Sequence, residues 1–150
     1  MEIRRINNAD EGLVYQCDHL FVKFLDEESI YDVNPLKTKN FKSFLYDIAD
    51  PKKILLIAEE GGNVIAFLFG YIEENNKKVY KVAHISFLYV NDKYRNNGIA
   101  TKLIDKFLLV VKKYEVEILE VKCFKNNKNA SKLYKKYGFE ALWMNYIRRL

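Results

Sequence analysis

Val90-Asn-Asp-Lys-Tyr-Arg-Asn-Asn-Gly-Ile-Ala-Thr101 decides the reading of this chain. Before it runs Ile85 to Val90, rich in aromatic and β-branched residues, which predicts a strand. After it, Ile99, Leu103, Ile104, Phe107, Leu108, Val111 and Tyr114 fall at helical spacing. The stretch is therefore a strand-to-helix turn with a glycine at the helix mouth. Such a mouth carries free backbone N–H groups and the positive end of the helix dipole. Gly98 has no side chain to hold a ligand off that backbone. The consequence is an anion site, most naturally for phosphate.

The turn has neither the Gly-Lys-Ser/Thr of a Walker loop nor the three glycines of a dinucleotide fingerprint. Its pattern is Arg95-x-x-Gly98-x-Ala100, followed downstream by Asn127-Lys-Asn-Ala130-Ser-Lys-Leu133-Tyr134 and Gly138-Phe139. These two blocks resemble the acyl-CoA pyrophosphate loop and the Asn-x-x-Ala-x-x-Leu-Tyr…Gly-Phe block of the GNAT (GCN5-related N-acetyltransferase) superfamily. The resemblance is best from about Ile54 to Phe139; the first fifty residues match in length and element order only.

The resemblance implies an α/β (α+β) fold. Its sheet would be mixed, mostly antiparallel and six- to seven-stranded, flanked by about four helices, with a splayed strand pair at the cofactor cleft. The residues give a compatible order. Glu2 to Ile6 is a short strand, and Leu13 to Leu25 form one face of a helix. Asp26 to Pro35 reads as a loop, and a second helix buries Phe41, Phe44, Leu45 and Ile48. Ile54 to Ala58 and Val64 to Ile72 form a hairpin around Gly61-Gly62-Asn63. A polar turn, Glu73 to Lys78, precedes the long strand Val79 to Val90. Val116 to Cys123 is the next strand, and the Phe124 to Lys128 loop leads to a helix ending at Tyr137 with Gly138 as its left-handed stop. Glu140 to Arg149 is expected to supply the last one or two strands.

With 150 residues the chain is expected to be one domain, 1–150, with a core of its own. No run approaches the apolar length of a membrane span, and the opening Met-Glu-Ile-Arg-Arg-Ile has no secretory core. The expectation is a soluble cytoplasmic protein. Cys17 and Cys123 are too few and too far apart for a zinc site, and no metal is expected. The net charge of +5 raises nucleic acid as a partner, but no nucleic-acid-binding motif accompanies it. Lys93, Lys102, Lys128 and Lys132 stand where a polyanionic cofactor would lie, and each reads equally well as solvated surface.

Transfer of an acyl group from a thioester to an amine requires a docked cofactor, a neutral amine, stabilised oxyanion charge and a proton for the thiolate. The family's direct attack needs no Ser or Cys nucleophile. The resemblance assigns acetyl-CoA to backbone groups of Leu88, Tyr89 and Val90 and of Asn96, Asn97, Gly98, Ile99, Ala100 and Thr101, with Arg95 adding charge and Asn127 holding the pantetheine arm. Asn127 also suits a helix N-cap. Tyr134 matches the family tyrosine that serves the departing sulfur; without the motif it would read as core. His84 stands where some members carry a glutamate base, and competes for that role with water chains or an amine that arrives neutral. Lys122 replaces a glutamate of peptide-acetylating members, which counts against ribosomal-protein acetylation.

For the acceptor, Asp18, Asp26, Glu27, Glu28 and Asp32 could attract a cationic amine, with Tyr31, Tyr71 and Tyr146 as lining. The expected activity is acetyl transfer to a primary amine of a small cationic molecule such as a polyamine, an aminoglycoside or an amino-acid-like compound. The alternatives are a non-catalytic acyl-CoA-binding or regulatory module, a protein or peptide amine as acceptor, and a basic nucleic-acid-binding domain. The apolar Ala141 to Ile147 segment allows a homodimer.

Overall fold

The computed structural model describes residues 1–37, 40–46 and 48–150. Five strands form one sheet in the order β1 (Glu2–Ile6), β2 (Lys53–Glu60), β3 (Asn63–Ile72), β4 (Val82–Val90), β5 (Ile118–Val121). The first three pairings are antiparallel. β4 and β5 run parallel, because helix α2 (Ile99–Lys112) returns the chain to the end of the sheet where β4 begins. This is the expected mixed, mostly antiparallel sheet, with five strands among the described residues rather than six or seven.

The hairpin between β2 and β3 turns on Gly61 and Gly62, with φ of 57° and 79°. Two consecutive positive φ values are what a tight two-residue hairpin loop requires. Helix α1 (Glu11–Glu28) starts at Asp10, whose Oδ1 accepts from Leu13 N at 2.8 Å. Helix α3 (Lys128–Lys136) starts at Asn127, whose Oδ1 accepts from Ala130 N at 3.1 Å. Gly138, at φ 84°, follows α3 as the expected left-handed residue.

The sheet has a core on each face. On one side α2 and α3 pack on Ile54, Leu56, Leu68, Ala83 and Ile85 through Leu103, Phe107, Leu133 and Tyr137. On the other, α1 sets Cys17, Leu20 and Phe21 against Leu55, Ile57, Phe67 and Tyr89. A mesh of phenylalanines fills that second core. Phe21 and Phe41 rings lie 5.1 Å apart, and Phe44 and Phe87 4.8 Å apart edge to face.

Three expectations need correction. The expected second helix is, among the described residues, one 3₁₀ turn at Phe41–Phe44; its positions 38, 39 and 47 lie outside the described residues. Asp18 Oδ1 takes the Phe41 N–H at 2.6 Å, so one tethered turn suffices to bury Phe41. The acidic run Asp26-Glu27-Glu28, expected in a loop, is the last turn of α1. Acids there oppose the helix dipole, and tertiary partners described below compensate them. Finally, Glu140 to Arg149 forms no strand. Leu142, Trp143, Met144, Tyr146 and Ile147 are all exposed, Trp143 at 85%. Their composition favours strand, but a strand forms only against a paired edge, and this segment pairs with none.

One irregularity in the sheet shapes the cleft. Phe69 pairs with Phe87 but Gly70 pairs with Ile85, so Ser86 is an extra residue bulged out of β4. The bulge inverts the alternation of faces. Ala83 and Ile85 face α2 before it; Phe87 and Tyr89 face α1 after it. Pairing with β5 stops at the same place, at Ile85↔Val121. Beyond that point β4 and β5 part, as expected of a splayed pair.

Candidate active site

The turn after β4 is a 3₁₀ turn, Asp92–Tyr94, followed by two left-handed residues, Asn96 (φ 62°) and Gly98 (φ 72°). Asn97 closes it from inside, its Nδ2 donating to Tyr94 O (3.2 Å) and Arg95 O (3.1 Å). Gly98 is the N-cap of α2 and offers no side-chain acceptor to the helix amides. The first amide bonded back to the cap is that of Lys102, to Gly98 O at 3.0 Å. The N–H groups of Ile99, Ala100 and Thr101 are thus left at the entrance. A Cβ at Gly98 would meet nothing within 4 Å, so the space before these amides is open. This donor set, with open access and the dipole behind it, fits a pyrophosphate. Lys93, Lys102, Lys128 and Lys132 are all exposed.

Gly98→Val would place a β-branched side chain at a left-handed φ and in front of the amides. The expected result is acetyl-CoA affinity reduced by tenfold or more, since a left-handed L-residue alone costs about 1–2 kcal/mol. Isothermal calorimetry with acetyl-CoA reads it directly; an unchanged Kd would place the phosphates elsewhere.

The Arg95 side chain turns inward rather than toward that entrance. Its Nε donates to Val90 O at 2.9 Å, and its Nη2 reaches both Glu27 oxygens at 2.8 and 2.6 Å. The guanidinium also lies 5.3 Å from the Tyr89 ring centre, and Tyr89 Oη donates to Glu27 Oε1 at 2.7 Å. Glu27 thus ties the end of α1 to both ends of the turn. Burial, then the bond to Glu27, pushes the Tyr89 phenol up.

Glu28 makes the second tie. Its Oε1 accepts from Asn127 Nδ2 at 3.2 Å, while Asn127 Oδ1 caps α3. Burial raises the Glu28 carboxyl; the Asn127 bond opposes this, and the charges of Asp32 and Glu27 add to it. Tyr31 stacks on Phe124 with ring centres 6.3 Å apart. Glu27, Glu28, Tyr31 and Asn127 therefore meet where β4 and β5 separate, and Leu88 and Val90 line the open edge of β4. Asp26, adjacent to them, closes the helix: its carbonyl accepts from Ser29 Oγ at 2.6 Å.

Tyr134 sits half-buried on α3, edge to face with Phe139 at 5.6 Å. Among the described residues its hydroxyl has no hydrogen-bond partner. Burial, followed by the charges of Cys123 and Glu28, holds its proton above the usual phenol range. Tyr137, a turn further on, anchors α3 to α2: its hydroxyl donates to Thr101 O at 3.0 Å and bonds Asp105. Cys123 is exposed, and burial and Glu28 raise its thiol, which leaves it a poor nucleophile.

His84 lies at the base of the split, just before the bulge. Its ring stacks on Tyr71 at 4.8 Å. Nε2 is 2.9 Å from Glu73 Oε2, and Nδ1 is 3.4 Å from Glu120 Oε2. His84 first, then Lys78, pulls the Glu73 carboxyl down to about 2. Neither Glu73 nor Glu120 belongs to a motif in the sequence. Glu120 has a legible place in strand alternation, but its neighbour depends on the β4–β5 register. Tyr146, 87% exposed in the C-terminal segment, is the one proposed lining residue that joins neither group. Among the described residues no group of three or more His, Cys, Asp or Glu is placed to hold a metal ion. No helix among them is long and apolar enough to cross a membrane.

This arrangement, a parallel strand pair that splits beside a glycine-led helix mouth, is a mixed α/β fold. The chain belongs to the acetyltransferase (GNAT) family, whose family model matches residues 19–139. It is 26% identical over 125 residues to human N-alpha-acetyltransferase 30, a match covering 79% of this chain and 34% of that protein. The chain thus spans about a third of that relative's length. The fold superposes on a tetramutant of a Bacillus halodurans protein with a TM-score of 0.82, at 19% identity over all of both chains. An aminoglycoside acetyltransferase from an uncultured soil sample, in complex with trehalose, superposes at 0.73, with 16% identity over 99% of this chain and 95% of that one.

Proposed function

We propose that this protein transfers an acetyl group from acetyl-CoA to the primary amine of a small cationic molecule. The carrying observation is the coincidence of two features at one end of β4. The strand pair opens beyond Ile85↔Val121, and the helix mouth at Gly98 is unobstructed. Together they suit a thin arm with a polyphosphate tail. The family's general use of acetyl-CoA supports the same reading.

Acetyl-CoA brings an activated thioester. The protein's groups do the rest. The Gly98–Thr101 amides bind phosphate charge. The freed edge of β4 from Ser86 to Val90 can bond an extended arm, and Asn127 stands at the opposite lip. Tyr134 keeps its proton at neutral pH and can donate a hydrogen bond to the leaving sulfur. A thiol's reference pKa of about 8.5 lies below that of a phenol, so complete proton transfer is uphill and the hydrogen bond itself stabilises the charge. His84 is the group assigned to receive the proton that the amine must lose, a role its position at the base of the split supports.

A cationic acceptor is favoured by the carboxylates beside His84, with Tyr71 39% exposed next to them. The acids at the end of α1 are already committed to Arg95 and Asn127, so they attract a cation less than the sequence suggests. The similarity to an N-alpha-acetyltransferase supports a second reading, a peptide amine as acceptor. The test is coenzyme A release across polyamines, aminoglycosides, lysine and N-terminal peptides. Release with the cationic small molecules is the expected result. Release with peptides alone would move the acceptor class, and acetyl-CoA binding without release would leave a cofactor-binding module.

A further inference from the structure

A row of side chains crosses the sheet just beyond the part that α1 covers. Lys53 on β2 pairs with Tyr71 on β3, Tyr71 with His84 on β4, and His84 with Glu120 on β5. His84 is the centre of this row and is held from three sides. Tyr71 stacks on its ring, Glu73 bonds Nε2 and Glu120 faces Nδ1. Lys78 acts from one step away, with its Nζ 3.0 Å from Glu73 Oε1.

The closer of the two carboxylates, Glu73 at 2.9 Å against Glu120 at 3.4 Å, favours one tautomer of the neutral ring. Glu73 stays ionised far below neutral pH, so it can only accept, and the nitrogen facing it must carry the hydrogen. That nitrogen is Nε2, at 2.9 Å. In the neutral ring Nδ1 then holds the lone pair, and it points at the side of the site where Glu120 stands, 44% exposed. An ammonium group drawn to Glu120 would lie beside that lone pair.

Building on the transferase reading, we propose that Glu73, His84 and Glu120 form a proton relay for the acceptor amine. Glu120 binds the incoming ammonium. One N–H proton passes to His84 Nδ1, which leaves the amine nitrogen with a free electron pair for the thioester carbon. The doubly protonated ring is then held between two carboxylates, through Nε2–H to Glu73 and Nδ1–H to Glu120. The ring proton leaves to solvent by way of exposed Glu120. Glu73 touches no reactant; it is a positioning residue that keeps Nε2 occupied and Nδ1 free.

The relay has a readout independent of turnover. The chain has two histidines, so nitrogen-15 spectra of histidine-labelled protein, compared with a His84→Gln variant, assign His84 directly. Neutral His84 is expected with hydrogen on Nε2, and Glu73→Ala should mix the tautomers while Glu73→Asp keeps Nε2–H dominant. In steady-state assays on the best amine, Glu73→Ala should lower kcat about tenfold with amine KM unchanged, and Glu120→Gln should raise amine KM about tenfold. Neither should alter the acetyl-CoA Kd. An active wild type whose neutral His84 carries hydrogen on Nδ1, or in which both variants keep wild-type kinetics, overturns the relay alone. A wild type that acetylates no amine overturns the transferase reading and the relay with it.

Discussion

Tyr134→Phe is expected to lower kcat about a hundredfold while leaving the acetyl-CoA Kd within about threefold, because one hydrogen-bond donor to developing charge is worth that much. The substitution is unusually clean. The Tyr134 hydroxyl has no partner among the described residues, so its removal orphans no other group. The ring keeps its contact with Phe139 and its place against the α2-side core. Stability should therefore hold within about 0.5 kcal/mol, since deleting an unpaired polar atom costs little. Thermal unfolding checks this first. Calorimetry then reads acetyl-CoA binding, and single-turnover kinetics read the chemical step. If the variant turns over like wild type, the phenol plays no part at the sulfur, and Tyr134 is a core residue that happens to face the cleft.

The glycine-led helix mouth was legible in the sequence because it is local. A strand, a glycine and a helix in twelve residues fix both the backbone shape and the free amides. The Gly61-Gly62 hairpin and the Gly138 stop were legible for the same reason. The acceptor end was not, because it is assembled by register. Nothing near Glu120 says that it faces His84; that depends on β5 pairing at Ile118↔Val82. Nothing near Glu73 says that the chain curls back to a histidine eleven residues on. Arg95 shows a third kind of limit. Its charge beside the glycine-led helix mouth suggests a phosphate ligand, yet Glu27, sixty-eight residues earlier, takes its guanidinium. The last strands failed for a further reason. Aromatic and β-branched composition was present from Ala141 to Ile147, but composition cannot supply a neighbour to pair with.

The bulge that links these parts depends on Gly70, and Gly70→Ala is expected to be the most destabilising small substitution proposed here. A Cβ built there would stand 2.3 Å from the His84 carbonyl oxygen and 2.7 Å from two atoms of the Phe107 ring. Neither neighbour can yield. The carbonyl belongs to β4, held between β3 and β5 next to the point where Ser86 is extruded, and Phe107 is fully buried between α2 and the sheet. Overpacking of this kind costs about 3 kcal/mol, near the top of the usual range. For a chain of this size that is a fall of roughly 10 °C in Tm. Gly12→Ala is the matched control. Its Cβ would meet only Asp10 Oδ1 at an ordinary 3.5 Å, and alanine in the first turn of α1 should stabilise by up to about 1 kcal/mol. Because the His84 carbonyl must move to admit the new methyl, Gly70→Ala should also lose activity at temperatures where it remains folded. Wild-type stability in Gly70→Ala would mean that β3 and β4 relax apart without strain. In that case the bulge at Ser86 would not be what sets the approach of His84 to the cleft.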